Sequence, residues 1–161
     1  MSLIVRSARS EDLDAVARLA AELVALHHAT DPRPFFLPPD VERGYAHWLG
    51  RELRRAAAVV LVAELDGAVA GFAYATVEGR DWNALLDDHG SIHDVFVASS
   101  ARRRGVGRKL VEGLVAELTL RGARRFVLHT MVTNTTAQAL FSRCGFRPTM
   151  LEMTRNTDEP G

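Results

Sequence analysis

The sequence predicts a single-domain protein of the α/β (α+β) class, and three stretches carry that prediction. Residues 58–77 hold two β-rich runs either side of Asp66-Gly67, a pair that two-residue hairpin turns select because both turn positions need positive φ. Residues 91–118, SIHDVFVASSARRRGVGRKLVEGLVAEL, pass from an apolar strand through a small polar link and two glycines into an amphipathic helix. Residues 134–145 read as a short helix from a polar cap to a terminating glycine. With 161 residues, 47% of them hydrophobic and 25% charged, the chain suits one domain with one core. No repeat, low-complexity tract or linker divides residues 1–161.

The other elements follow in order. Residues 3–8 form a first strand, and Ser10, followed by Glu11 and Asp12, offers a hydroxyl cap with acids in the first turn. Leu13, Val16, Ala17, Ala20, Leu23, Val24 and His27 recur at helical spacing, so a helix runs to about His28. His27 ends the apolar stripe, where it either complements the helix dipole or lines a pocket. Four prolines stiffen residues 31–40 into a loop. Its Phe35, Phe36 and Leu37 are expected to plug the core rather than wall a site. Asp40 is placed to cap a second helix reaching about Arg55, with Val41, Tyr45, Trp48, Leu49 and Leu53 inward. The loop at 80–90 carries Asp81, Trp82, Asp87, Asp88 and His89; its acids are those of a solvated loop, with recruitment of a cationic amine as the alternative. Gly122 stops the long helix, residues 126–131 form a strand, residues 150–155 form a last one, and 156–161 are a frayed tail.

Composition excludes several function classes. Lys+Arg and Asp+Glu balance at 20 each and the isoelectric point is near 7, so the chain is not built to embrace nucleic acid or an anionic membrane. One cysteine, Cys144, rules out an internal disulfide framework. No run approaches the roughly 18 apolar residues of a membrane span, and the N-terminus has no signal-peptide pattern. The cytoplasm is the expected compartment.

The local asymmetry is RRRGVGRK. Gly105 and Gly107 permit a tight turn and a close backbone approach. The free N–H groups of the helix that follows point at whatever anion sits there. Arg102, Arg103, Arg104, Arg108 and Lys109 crowd the same end, an arrangement an anionic ligand would relieve. The stretch is not a P-loop, because Leu110 follows Gly107-Arg108-Lys109 where a Lys-Ser/Thr pair is needed. Nor is it a dinucleotide fingerprint, because Leu110 stands where the third glycine belongs.

The pattern R-x-x-G-x-G at Arg102, Gly105 and Gly107 resembles the acetyl-CoA loop of the GNAT N-acetyltransferases. A second block, N-x-x-A-x-x-L-[YF]-x-x-x-G-F, is matched at Asn134, Ala137, Leu140, Phe141, Gly145 and Phe146, about thirty residues further on. The resemblance implies a mixed, mostly antiparallel sheet of six to seven strands with helices on both faces and its central strands splayed. It makes 3–90 the acceptor side and 91–155 the acetyl-CoA-binding core, with no metal, and it allows a homodimer. Pantetheine would lie along Val95, Phe96 and Val97. The pyrophosphate would rest on backbone amides of Arg103, Arg104, Gly105, Val106, Gly107 and Arg108, after Arg102; Asn134 and Phe141 would lie along the cofactor.

The implied activity is transfer of an acetyl group from acetyl-CoA to a primary amine of a small molecule or peptide, by direct attack in a ternary complex. The Val97 region supplies a backbone oxyanion donor. His93, beside Asp94, suits a base at neutral pH, and His129 on the neighbouring strand is its rival. The chain departs from many relatives at Phe141, where they place a tyrosine that protonates the leaving thiolate. Water takes that task, or Cys144; Tyr45 and Tyr74 are the other hydroxyls, unplaced by sequence. Two competing readings are a catalytically silent CoA-binding module and a basic docking surface for a polyanion.

Overall fold

The computed structural model describes residues 1–158; positions 159–161 of the expected tail lie outside the described residues. Five strands form one sheet in chain order: β1 (Leu3–Ser7), β2 (Ala58–Leu65), β3 (Ala68–Glu78), β4 (His89–Val97) and β5 (Phe126–Leu128). The first four are an antiparallel meander, and β5 joins β4 in parallel. Among the described residues there are four α-helices: α1 (Leu13–Thr30), α2 (Val41–Glu52), α3 (Val106–Leu120) and α4 (Thr135–Arg143).

The sheet is buried on both faces, which is why β2 reads AVVLVAEL with little polar relief. Val60, Val62, Phe72 and Phe96 pack against Val16, Leu19 and Ala20 of α1 and Leu49 of α2. Val59, Leu61, Ala73 and Ile92 pack on the other face against Leu110, Leu114 and Leu118 of α3. Helices therefore lie on both faces, as expected. Asp66 (φ 52°) and Gly67 (φ 85°) make the expected hairpin turn.

Several expectations fail. There are five strands rather than six to seven: residues 147–155 carry no regular secondary structure among the described residues. β5 ends at Leu128 instead of Met131, so its outer edge is only three residues long, and Pro148 lacks a backbone donor. Met150, Leu151 and Met153 are left exposed. Ser10 does not cap α1; a 3-10 turn at Ser10–Asp12 precedes the helix, and Asp12, gripped by Arg6 at 2.7 and 2.9 Å, accepts the Arg9 N–H. Asp40 does not cap α2: its backbone is left-handed and its carboxylate pairs with Arg43. Phe35 is half-buried against His27, but Phe36 and Leu37 project into solvent and plug nothing.

Candidate active site

The site grows from a change of neighbours along β4. Its first half pairs with β3 on one side and β5 on the other, through Gly90↔Phe126, Ser91↔Val127 and Ile92↔Leu128. At Leu128 the fifth strand stops, and the rest of β4 has β3 as its only strand neighbour. The expected splay is this fork. At the same point β4 gains a residue: Ala75 faces Ile92 and Tyr74 faces Asp94, so His93 is a bulge without a register partner.

Backbone direction follows from hydrogen bonding. Ala98 N–H reaches Ala70 O on the β3 side at 2.8 Å. Alternation along an antiparallel strand then turns the N–H and C=O of Val97 and Val95 into the gap, while Phe96 bonds toward β3. Arg102 closes part of that edge: its Nε–H donates to Val97 O at 3.1 Å and its guanidinium lies 5.7 Å from the Phe96 ring centre. Arg102 thus folds onto the strand rather than into the glycine turn.

Gly105 has φ 80° and immediately precedes α3, with no side chain to cap it. The first helical bond is Lys109 N–H to Gly105 O, so the amides of Val106, Gly107 and Arg108 precede any intrahelical partner. Arg103, itself at φ 60°, and Arg104 are exposed beside them. Arg108 is turned along the helix to Glu112 at 2.6 Å. Gly107 also has a packing role: a Cβ there would stand 3.0 Å from Leu140 Cδ2, so its smallness eases the contact of α4 with α3. Asn134 Oδ1 caps α4 by accepting the Ala137 N–H, and Phe141 stands edge-on to Phe146. Burial pushes the Cys144 thiol up, so it stays protonated and weakly reactive.

The bulge turns His93 and Asp94 toward the same face, that of α1 and α2. The His93 ring stacks on Tyr74 with centroids 5.1 Å apart, and its Nε2 lies 2.7 Å from Thr76 Oγ1, whose hydroxyl donates to Glu78. Tyr74 in turn donates to Glu52, which also takes Arg55 at 2.7 Å, and Trp48 meets Tyr74 edge-on. Burial raises the Glu52 carboxyl, but the Tyr74 and Arg55 hydrogen bonds more than offset it and hold the carboxyl below the usual range. More than a third of His93's surface is open to solvent, yet the protein packed around its ring holds its pKa below 6.5. Glu78 and Glu52 partly oppose that, and His129 adds to it. Burial pushes Asp94 up to about 6, against a weaker pull from His27. Tyr45 is raised by burial, with Asp94 adding to it, and so keeps its phenolic proton. His27 donates from Nδ1 to Leu23 O at 2.9 Å, the helix-end role, with its ring edge against Phe35. His129 follows β5 directly and is exposed at the other prong of the fork.

A model of the acetyltransferase (GNAT) family matches residues 21–146. The chain belongs to the GNAT family. It is 31% identical over 110 residues to an uncharacterized N-acetyltransferase of Archaeoglobus fulgidus, covering 67% of this chain and 68% of that one. It is 29% identical over 101 residues to the aminoglycoside N(6')-acetyltransferase type 1 of Klebsiella aerogenes, covering 63% of this chain and 66%, just under two thirds, of that one. In fold it is similar to AAC(6')-Iy in complex with the bisubstrate analog CoA-S-monomethyl-acetylneamine: TM-score 0.71 at 21% identity, covering 98% of this chain and 99% of that chain.

In this GNAT chain a surface concavity of about 580 Å³ lies away from the fork, between Arg9, Ser10 and Leu13 on one wall and His47, Arg51 and Arg54 on the other. The fork is the chemically furnished site because there unpaired backbone, a histidine and a half-buried carboxyl converge. The acids of the 80–90 loop serve turns: Asp81 accepts the Asn83 and Ala84 N–H groups, and Asp87 pairs with Arg80. Sequence reading missed Thr76, Glu78 and Glu52. Each sits in an ordinary strand or helix pattern; the β3–β4 register carries Thr76 and Glu78 to His93, and Glu52 reaches it from α2 through Tyr74.

Proposed function

We propose that this GNAT chain is an N-acetyltransferase that moves an acetyl group from acetyl-CoA to a primary amine of a small molecule or peptide, by direct attack within a ternary complex. The observation that carries the proposal is the fork: an open edge of β4, with Val95 and Val97 amides facing the gap, runs from the glycine turn to the His93–Asp94 bulge. These residues fit the coenzyme. Its amide-rich arm can complete the strand edge, and its diphosphate can take the first-turn amides of α3 beside Arg103 and Arg104. Arg102 must leave the Val97 carbonyl for that edge to be read in full.

Acetyl-CoA, when bound, supplies the acyl group activated as a thioester. The chain's own residues do the rest. Asp94, ionised above about pH 6, draws the acceptor's ammonium toward the α1–α2 face, where Tyr45, Trp48 and Tyr74 make an aromatic wall. His93, neutral at pH 7, takes one proton from it and leaves the amine's lone pair free to form the new C–N bond. Val97 N–H, fixed in the gap, donates to the negative charge developing on the acyl oxygen, a term worth about 3 kcal/mol where a single such donor has been removed. As the C–S bond breaks, the electron pair leaves on sulfur and water protonates it, since Phe141 holds no proton and Cys144 keeps its own. The Klebsiella relative makes aminosugar amines the first acceptors to try.

Thermal unfolding with and without acetyl-CoA, on wild type and on the double variant Arg103→Glu/Arg104→Glu, tests the cradle; thiol release over a panel of amines tests the chemistry. Wild type should gain several degrees and the variant much less, with thiol release from at least one amine. Equal stabilisation of both proteins would remove the cradle. Stabilisation without release from any amine would leave a silent CoA binder. Gly107→Glu is a poorer probe, because its side chain would also press on Leu140 of α4 and so mix a packing effect with any effect on binding.

A further inference from the structure

The hydroxyl of Thr76 has one proton and two lone pairs, and the structure shows where each goes. Thr76 is 2% exposed, so its polar atom is beyond the reach of bulk water and must be satisfied by protein. Its Oγ1 lies 2.5 Å from Glu78 Oε1 and 2.7 Å from His93 Nε2. A carboxylate accepts and cannot donate, so the single hydroxyl proton goes to Glu78. The contact with His93 is then a hydrogen bond only if the ring nitrogen is the donor. That fixes the proton of the neutral imidazole on Nε2, and leaves Nδ1 unprotonated and without a hydrogen-bonding partner among the described residues.

We propose that Thr76 and Glu78 are positioning residues for His93: the carboxylate orients the hydroxyl, the hydroxyl holds Nε2–H, and Nδ1 is thereby presented at the fork as the proton acceptor. The inference rests on the proposed acetyltransferase reading and deepens it by naming which nitrogen is basic and what keeps it so. Without the tether a bulged, half-open histidine would rotate among rotamers and exchange tautomers. The stack on Tyr74 alone does not choose between them, since the two ring orientations related by a half turn about χ2 lie in the same plane and stack alike. The arrangement is the orienter–base half of a hydrolytic triad, with a hydroxyl inserted between carboxylate and imidazole. Other groups face the ring as well: Tyr74 from β3, Glu52 from α2, and His129 from the end of β5. Of the two acids that favour the protonated ring, Glu78 acts more strongly than Glu52, so its removal should lower the basicity of His93 further.

The experiment uses full-length protein with uniformly nitrogen-15-labelled histidine, in which the six imidazoles are resolved and His93 is assigned by its loss in His93→Gln. In wild type, the His93 ring proton should be slowly exchanging and located on Nε2. Thr76→Val, which keeps the shape and loses the hydroxyl, should abolish that signal and lower kcat on the order of tenfold, the worth of one hydrogen bond, with KM for acetyl-CoA unchanged. Thr76→Ser should restore both. Glu78→Gln should move the acid limb of kcat/KM to lower pH, which loss of a merely structural contact would not do. A His93 proton found on Nδ1, or a Thr76→Val protein with wild-type ring signal and wild-type kcat, would overturn the proposal. Full activity in His93→Gln would sink the base assignment and the positioning claim with it. It is told apart from failure of the tether by the ring signal, which does not depend on turnover.

Discussion

The two halves of β4 differ in how many neighbours they have, and almost everything chemical about the molecule follows from that. Between His89 and Ile92 the strand is bonded on both edges: Gly90 N–H reaches Arg125 O at 2.8 Å, and a Cβ at Gly90 would meet Leu118 at 2.8 Å and Phe126 at 3.2 Å. From His93 to Val97 the strand has one neighbour, an extra residue and an edge turned to an opening. The first half has no spare hydrogen-bonding capacity and no spare volume. The second has both, and it holds the two groups whose proton affinities are displaced. A strand that is anchored at one end and free at the other can hold reactive groups steadily without burying them.

Substitutions in each half should therefore fail in different ways. The largest effect is expected at the bulge. His93→Gln should lower kcat by about 10²–10⁴-fold, the usual worth of a general base, while leaving the unfolding temperature within about a degree or two. In the wild type kcat/KM should fall as pH drops through a value below 6.5, because protonated His93 cannot accept a proton. His129→Gln run beside it separates the rivals: if it abolishes the rate and His93→Gln does not, the base stands on the other prong.

Asp94 should show the stability side of the same half. Its pKa rises from 3.8 to about 6, so the folded state binds a proton more readily than the unfolded chain, and the stability this carries is lost as pH climbs through about 6. Ionised Asp94 then costs on the order of 3 kcal/mol, at 1.36 kcal/mol per unit. Asp94→Asn should unfold later than wild type at pH 8 and lose most of that advantage by pH 4. If the proposed recruitment of the ammonium is right, KM for the acceptor should rise in the same variant. Equal gains at both pH values would mean that burial of the carboxyl is not the cause.

In the closed half the order reverses. Gly90→Ala should cost about 1–3 kcal/mol from overpacking against Leu118 and Phe126, with no change in acetyl-CoA affinity at a temperature where both proteins are folded. Paired thermal and binding titrations check this. A variant that binds the coenzyme tenfold less while fully folded would show that the two halves are not independent.

What was legible in the sequence is what short-range chemistry determines. Asp66-Gly67 announces its hairpin because few other residues take positive φ twice in succession, and the Gly105 turn into α3 is local for the same reason. Two blocks of matched residues were enough to place the fold. Illegible were features set by register or by distant partners. No pattern within β4 predicts that His93 is the unpaired residue, since the extra residue is defined only against β3. Thr76 and Glu78 read as an ordinary strand end until that register carries them to the ring. The caps at Ser10 and Asp40 failed because those side chains turn to other partners, Glu11 and Arg43. The last strand failed where a β-rich run needs an edge to pair with, and β5 offers only three residues of one.

The smallest effect, and the one that sharpens the boundary between the halves, belongs to Arg102. Its guanidinium spans the open edge, donating to Val97 O while lying near the Phe96 ring, and together these contacts are worth at most about 1 kcal/mol at an exposed site. In the free protein Arg102→Ala should therefore lower stability only slightly. The coenzyme competes with Arg102 for the same carbonyl under the proposed binding mode. Removing the arginine should then leave the acetyl-CoA-induced rise in unfolding temperature undiminished or larger, since less must be displaced on binding. A clearly smaller rise would mean that Arg102 reaches the ligand after all and belongs with Arg103 and Arg104 in the cradle.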